Sequence, residues 1–155
     1  QFANVQTSDD YAALIGVEQG VRAETIRGLL LYCGPYDISK LDKMSDNRIV
    51  AALLERVGWA YLDERQWQTS AVASEASPID HATASFPPSF ITDGTVMTFD
   101  QHGKAFVQRL NALRVDVTEK FFEGVELPHE FQFMMDRPEA VEVLELTLAF
   151  LNEKK

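Results

Sequence analysis

A single cysteine, Cys33, is all the chain carries. It leaves no partner for an intrachain disulfide and fits a reducing compartment such as the cytoplasm. Basic residues are scarce too: 14 Lys and Arg stand against 24 Asp and Glu, for a net charge of -10. That sign argues against a nucleic-acid backbone or an anionic membrane as partner. No apolar run approaches the roughly 18 residues of a membrane span. No signal-peptide pattern opens the chain, whose first residue is Gln1. The three histidines, His81, His102 and His129, lie 21 and 27 residues apart, without the H-x-x-x-H or C-x-x-C spacing of a metal site. Neither a metal nor a cofactor is therefore expected. What remains is ordinary globular composition, 46% hydrophobic and 25% charged over 155 residues. That length fits one domain able to bury roughly two-thirds of its unfolded surface.

Periodicity gives strands alternating with helices. Gln1 to about Leu14 is amphipathic and predicted helical, with Phe2, Val5, Ala12 and Ala13 as apolar contacts. "IRGLLLYCG" is a continuous apolar run closed by Gly34-Pro35, which predicts a strand buried on both faces. Asp46 is placed to cap a helix in which Ile49, Val50, Leu53, Leu54 and Val57 recur at helical spacing. Pro87-Pro88 forces extension and introduces a second short buried strand, "SFITDG". Gln101 to Leu113 is predicted helical, with Asp100 as its cap and Phe106, Leu110 and Leu113 on one side. In "RVDVTEKFF" apolar and polar residues alternate, the pattern of a half-exposed strand. Asp136 and Glu139 have capping-box spacing around Pro138, ahead of a stripe of Val141, Leu144, Leu148 and Leu151. Strands joined by helical crossovers predict an α/β fold with a parallel sheet and helices on both faces. Three strands make a thin sheet with two edges to hide, so the layer reads as part of something larger.

"GLLLYCGPYDI", "ASPIDHATASFPPSFITDG", "HGKAFVQRLNALRVDVTEKFFEGVELPHEFQF" and "VLELTLAFLNE" together resemble the C-terminal half of an α/β-hydrolase. The likeness is to the bacterial esterase and lipase branch related to hormone-sensitive lipase. It spans most of the chain and is weakest between about Ser39 and Ser74. The resemblance implies one partial α/β-hydrolase domain over residues 1–155, with a helical, cap-like insertion at 38–77. It also implies a small-molecule ester as substrate, the N-terminal half of the same fold as partner, and possible homo-oligomers.

By residue pattern alone, His129 in "GVELPHEFQF" is a solvated loop histidine between Pro128 and Glu130. Under the resemblance it matches the family's catalytic base, on the loop after the last strand, where a hydrolase base reaches its nucleophile. The acid is less plain. The family places an Asp three residues beyond the Gly that follows the "SFITDG" strand, and Met97 stands there. Asp93, at the strand's end, is the preferred substitute, with Asp100 and Asp37 as alternatives. No G-x-S-x-G and no HGGG-type loop occurs in the 155 residues. The resemblance therefore implies the base-bearing part of an ester hydrolase, without nucleophilic serine or oxyanion hole. A non-catalytic α/β-hydrolase-like binding domain is the alternative. Cys33, at the end of an apolar strand, is expected to be packed rather than reactive, and His81 and His102 to be solvated.

Overall fold

Leu29–Tyr32 (β1), Ser89–Thr92 (β2) and Val117–Lys120 (β3) form a parallel sheet of order β1-β2-β3 in the computed structural model, which describes residues 1–44 and 47–155. Leu30 faces Phe90 across one ladder, and Phe90 faces Thr118 across the other. Successive residues of a strand point to opposite faces, and β2 fills both: Phe90 and Ile91 are each fully buried. Ile91 packs with Phe106 and Leu110 of α6 (Asp100–Ala112), beside Tyr36 and Phe86. Phe90 packs with Val143 and Phe150 of α7 (Pro138–Glu153), beside Leu127 and Phe131. One helix thus covers each face of a parallel sheet, the α/β layering that the alternation of elements predicts.

β1 departs from expectation. Leu30 is 41% exposed, where a strand buried on both faces was predicted, while the pairing of β1 with β2 on one side fits a layer with edges still to hide. Among the described residues no strand covers its other edge. The N-terminal helix is also two helices, α1 (Phe2–Thr7) and α2 (Asp9–Ile15). They break at extended Ser8, whose hydroxyl accepts the Tyr11 N–H. Val5 and Ala12 are buried as expected, whereas Phe2 and Ala13 face solvent.

Between β1 and β2 the chain forms a 3-10 turn at Ile38–Lys43, α3 (Arg48–Leu62), α4 (Ala71–Ala76) and α5 (Pro78–His81). Trp67 is their fully buried centre, packed with Ile38, Leu41 and Ala73. Its ring presses on Gly58 so closely that a Cβ there would lie 2.3 Å from it. Asp46, the expected cap of α3, lies outside the described residues; Asn47 caps the helix by accepting the Ile49 N–H at 2.9 Å.

Three further expectations about helices are corrected. Asp100 does not cap α6: Phe99 holds the cap position, and the Asp100 carboxylate instead accepts from Lys104 one turn on, at 2.8 Å. No capping box forms at α7, whose cap position is Arg137, with Pro138 in the first turn. The face that α7 buries is Ala140, Val143, Thr147 and Phe150, while Val141, Leu144, Leu148 and Leu151 are exposed. This helix is apolar around more than half its circumference, so apolarity alone does not fix its rotation. Packing of Phe150 on Phe90 and the hydrogen bond between Tyr32 and Thr147 hydroxyls (2.6 Å) do.

The outer stripe of α7, the free edge of β1 and the exposed Ile49 and Leu53 of α3 leave considerable apolar surface uncovered. Such surface associates in water. The 155-residue chain by itself is expected to self-associate, reading above monomer mass by light scattering. A stable monomer at micromolar concentration would contradict this.

Candidate active site

Three side chains converge at the carboxyl edge of the sheet, each from the end of a neighbouring parallel strand. Cys33 follows β1 directly, Asp93 follows β2 directly, and His129 lies on the loop after β3. Their ligand-capable atoms, Sγ, carboxylate oxygen and imidazole nitrogen, all lie within 4.8 Å of one another. Parallel strands bring all their carboxyl ends to one edge, which is where α/β sheets bind ligands.

Asp93 is held more tightly than its neighbours. It is 1% exposed. One carboxylate oxygen accepts the Gly94 N–H at 2.7 Å and the Thr98 hydroxyl, and the other accepts the Phe99 N–H at 3.1 Å. Burial pushes its pKa above the usual carboxylate value; hydrogen bonds from Cys33, Gly94 and Phe99 and the charge of His129 oppose that push. A carboxylate fixed by several donors presents a set lone-pair direction to whatever stands beside it.

His129 is exposed, yet its loop is anchored on both sides by fully buried Leu127 and Phe131. Thr95 N–H and Val96 N–H both donate to the Leu127 carbonyl, at 2.8 and 3.0 Å. The Thr95 hydroxyl accepts the Leu127 N–H at 2.9 Å and donates to the Val125 carbonyl at 2.7 Å. Val96 bridges Pro128 in parallel fashion. The segment after Asp93 and the segment before His129 are thus stitched together by backbone. The His129 ring stands edge-on to Phe99, ring centres 5.8 Å apart.

Cys33 is buried as expected, but its setting in this cluster is not a feature that the apolar run reveals. The residue has φ +52°, in the left-handed region, and its sulfur receives the Glu130 N–H at 3.3 Å. Its proton faces two acceptors, Gln132 Oε1 at 3.4 Å and the Asp93 carboxylate. Burial and Asp93 push the thiol up to about 12, against the lowering effect of the Glu130 and Gly94 N–H groups.

The other candidates lie apart. Asp37 accepts from Lys40 Nζ and Ser39 Oγ, both at 2.5 Å, and its backbone N–H donates to His102 Nδ1 at 3.3 Å. Burial raises the Asp37 pKa but the Lys40 and Ser39 hydrogen bonds outweigh it, leaving the carboxyl below its usual value. His102 is not solvated, as expected from its place in a first turn, but buried against Phe99, and burial lowers its pKa. His81 is half-buried, stacked on Tyr11 at 4.2 Å. Asp100 is committed to Lys104, and Met97 is 67% exposed. A cavity of about 470 Å³ opens beside Phe99, lined among others by Gln1, Ile38, Leu41, Val57 and Tyr61.

No protein-family model matches the chain, and no curated protein matches it. Among solved structures, the chain is similar to an inhibited esterase B from Lactobacillus rhamnosis, with a TM-score of 0.67 and 22% identity. The match covers 96% of this chain and 47% of that one, so this chain spans about half the length of the esterase. At that identity the likeness shows fold: a parallel sheet with flanking helices, matching the C-terminal part of an esterase of the α/β-hydrolase fold. Among the described residues no helix is long and apolar enough to cross a membrane.

Proposed function

We propose that the chain is the base- and acid-bearing part of a serine-type carboxylic ester hydrolase of the bacterial branch related to hormone-sensitive lipase. His129 is the general base and Asp93 the carboxylate that orients it. The observation that carries this reading is the approach of the His129 imidazole and the Asp93 carboxylate to within 4.8 Å, at the carboxyl edge of a parallel sheet. In the reaction His129 takes the proton of a serine hydroxyl as that oxygen attacks the ester carbonyl, then returns it to the leaving alcohol. Asp93 fixes the ring's tautomer and stabilises the imidazolium that forms.

The serine and the oxyanion hole come, on this reading, from the N-terminal half of the same fold. Elements 38–77 act as a cap, whose apolar cavity beside Phe99 takes the hydrophobic part of a small ester. Cys33 is not the nucleophile. It is buried, its proton faces Gln132 and the Asp93 carboxylate, and both burial and that carboxylate hold the free thiol protonated.

The test is hydrolysis of short p-nitrophenyl esters by the 155-residue chain and by a protein extended upstream of Gln1. The chain alone is expected to stay at background, since a base without nucleophile and oxyanion hole loses most of the rate enhancement. The extended protein is expected to turn over. Turnover by the short chain that vanishes on His129→Ala would place a nucleophile within these 155 residues. An extended protein that is folded but inert would favour the non-catalytic binding domain instead.

A further inference from the structure

Cys33, Asp93 and His129 also make a donor set of a different kind. Thiolate, carboxylate and imidazole are the three ligand types that zinc-class cations take. Tetrahedral bonds of about 2.0–2.3 Å put such ligand atoms roughly 3.3–3.8 Å apart. These three already lie within 4.8 Å of one another, so small side-chain rotations close the set. Two of the three donors are aimed by surrounding groups, as metal ligands usually are. The Asp93 carboxylate is held by Gly94, Thr98 and Phe99, and the Cys33 sulfur receives the Glu130 N–H.

Gln132 lies where it can respond to the state of the sulfur. Its amide is 5% exposed and lies against Cys33, with Oε1 facing the thiol and Nε2 buried without a hydrogen-bond partner. A buried orphan N–H is costly. If the sulfur loses its proton, turning the amide over lets Nε2 donate to the thiolate, a stronger acceptor than a thiol sulfur, while Oε1 gives up its contact with Cys33. The amide beside Cys33 can therefore accept from the thiol or donate to a thiolate.

We propose that Cys33, Asp93 and His129 bind one thiophilic divalent cation of the zinc class, with His129 as the exposed entry ligand and water in the open fourth position. Binding forms a metal–sulfur bond and releases the thiol proton to solvent, with no change of oxidation state. The soft sulfur selects zinc, cadmium or cobalt over magnesium or calcium. Since the imidazole and carboxylate are then occupied, the cation also switches off ester hydrolysis. That consequence rests on the function proposed above; the binding does not.

Cobalt(II) titrated into the 155-residue chain reads the site directly, because Cys33 is the chain's single sulfhydryl and any cobalt–thiolate charge-transfer band belongs to it. A near-ultraviolet band saturating at one equivalent is expected, displaced by Zn(II) or Cd(II) and untouched by Mg(II). Cys33→Ser is expected to abolish the band. His129→Ala, a change at an exposed residue that spares the core, is expected to weaken cobalt binding at least ~10-fold. Absence of the band, or a band of unchanged affinity in folded His129→Ala, would overturn the proposal, the second by reducing the site to a solitary thiolate. In the extended enzyme, micromolar Zn(II) is expected to inhibit reversibly, with chelator restoring turnover. Cobalt binding to the short chain without such inhibition would leave the metal site standing and count against the catalytic role of His129.

Discussion

In the extended enzyme, His129→Ala is expected to lower kcat/KM for a short p-nitrophenyl ester by roughly 10⁴-fold or more, and Asp93→Asn by a comparable factor. Triad members act as a unit, and losing the orienting carboxylate costs on the order of 10⁴-fold, somewhat less than losing the base. The Asp93→Asn substitution is nearly isosteric. It keeps one oxygen to accept the Gly94, Thr98 or Phe99 donors, so the variant should still fold. The double variant should be little slower than His129→Ala alone. Asp100→Asn is the control. It removes a partly exposed pairing with Lys104, worth roughly 0.3–0.5 kcal/mol, and turnover should stay near the parent's. Should Asp100→Asn abolish turnover while Asp93→Asn leaves it intact, the acid is misassigned and the hydrolase reading survives. Full activity in His129→Ala would sink the hydrolase reading itself.

Asp93 was legible as a candidate because its signal is local. Pro87-Pro88 followed by a short apolar run marks β2, and the first polar residue after a buried parallel strand falls at the sheet's carboxyl edge. The β2 core was legible for the same reason, since both faces of its strand are apolar. Rotations and pairings were not. α7 has enough apolar residues for two stripes, and only the Phe90–Phe150 and Tyr32–Thr147 contacts choose between them. Asp100 has a capping residue's chemistry one position too late, and Lys104 a turn below gives its carboxylate a better partner. His102 reads as polar, yet its ring nitrogen accepts a backbone N–H from a segment 65 residues away. Cys33 could have been flagged by the rule that singled out Asp93, as the first residue beyond β1 on the same edge. What no local pattern carries is that Gln132 and Glu130, nearly 100 residues on, close over its sulfur.

Gly94→Ala is expected to be nearly as damaging to turnover as the loss of a distant positioning contact can be, without touching a reacting group. A Cβ on residue 94 would lie 2.5 Å from both the Leu127 and the Pro128 carbonyl oxygens. Those atoms are backbone, so no rotamer relieves the clash. Either the loop that presents His129 moves outward or the segment that fixes Asp93 moves back. The stitching bonds from Thr95 and Val96 to Leu127 span the same gap and must stretch with it. A displacement of about 1 Å between base and carboxylate is enough to cost on the order of 10²-fold in rate, and the overpacking itself roughly 1–3 kcal/mol of stability. The measurement is kcat and KM of the extended enzyme alongside its thermal unfolding. The expected pattern is a fall in kcat with KM little changed, in a protein that still melts cooperatively. Combined with His129→Ala the substitution should cost almost nothing further, because its effect on rate runs through that imidazole. A Gly94→Ala enzyme that turned over like its parent would mean that this contact is not what holds His129 against Asp93.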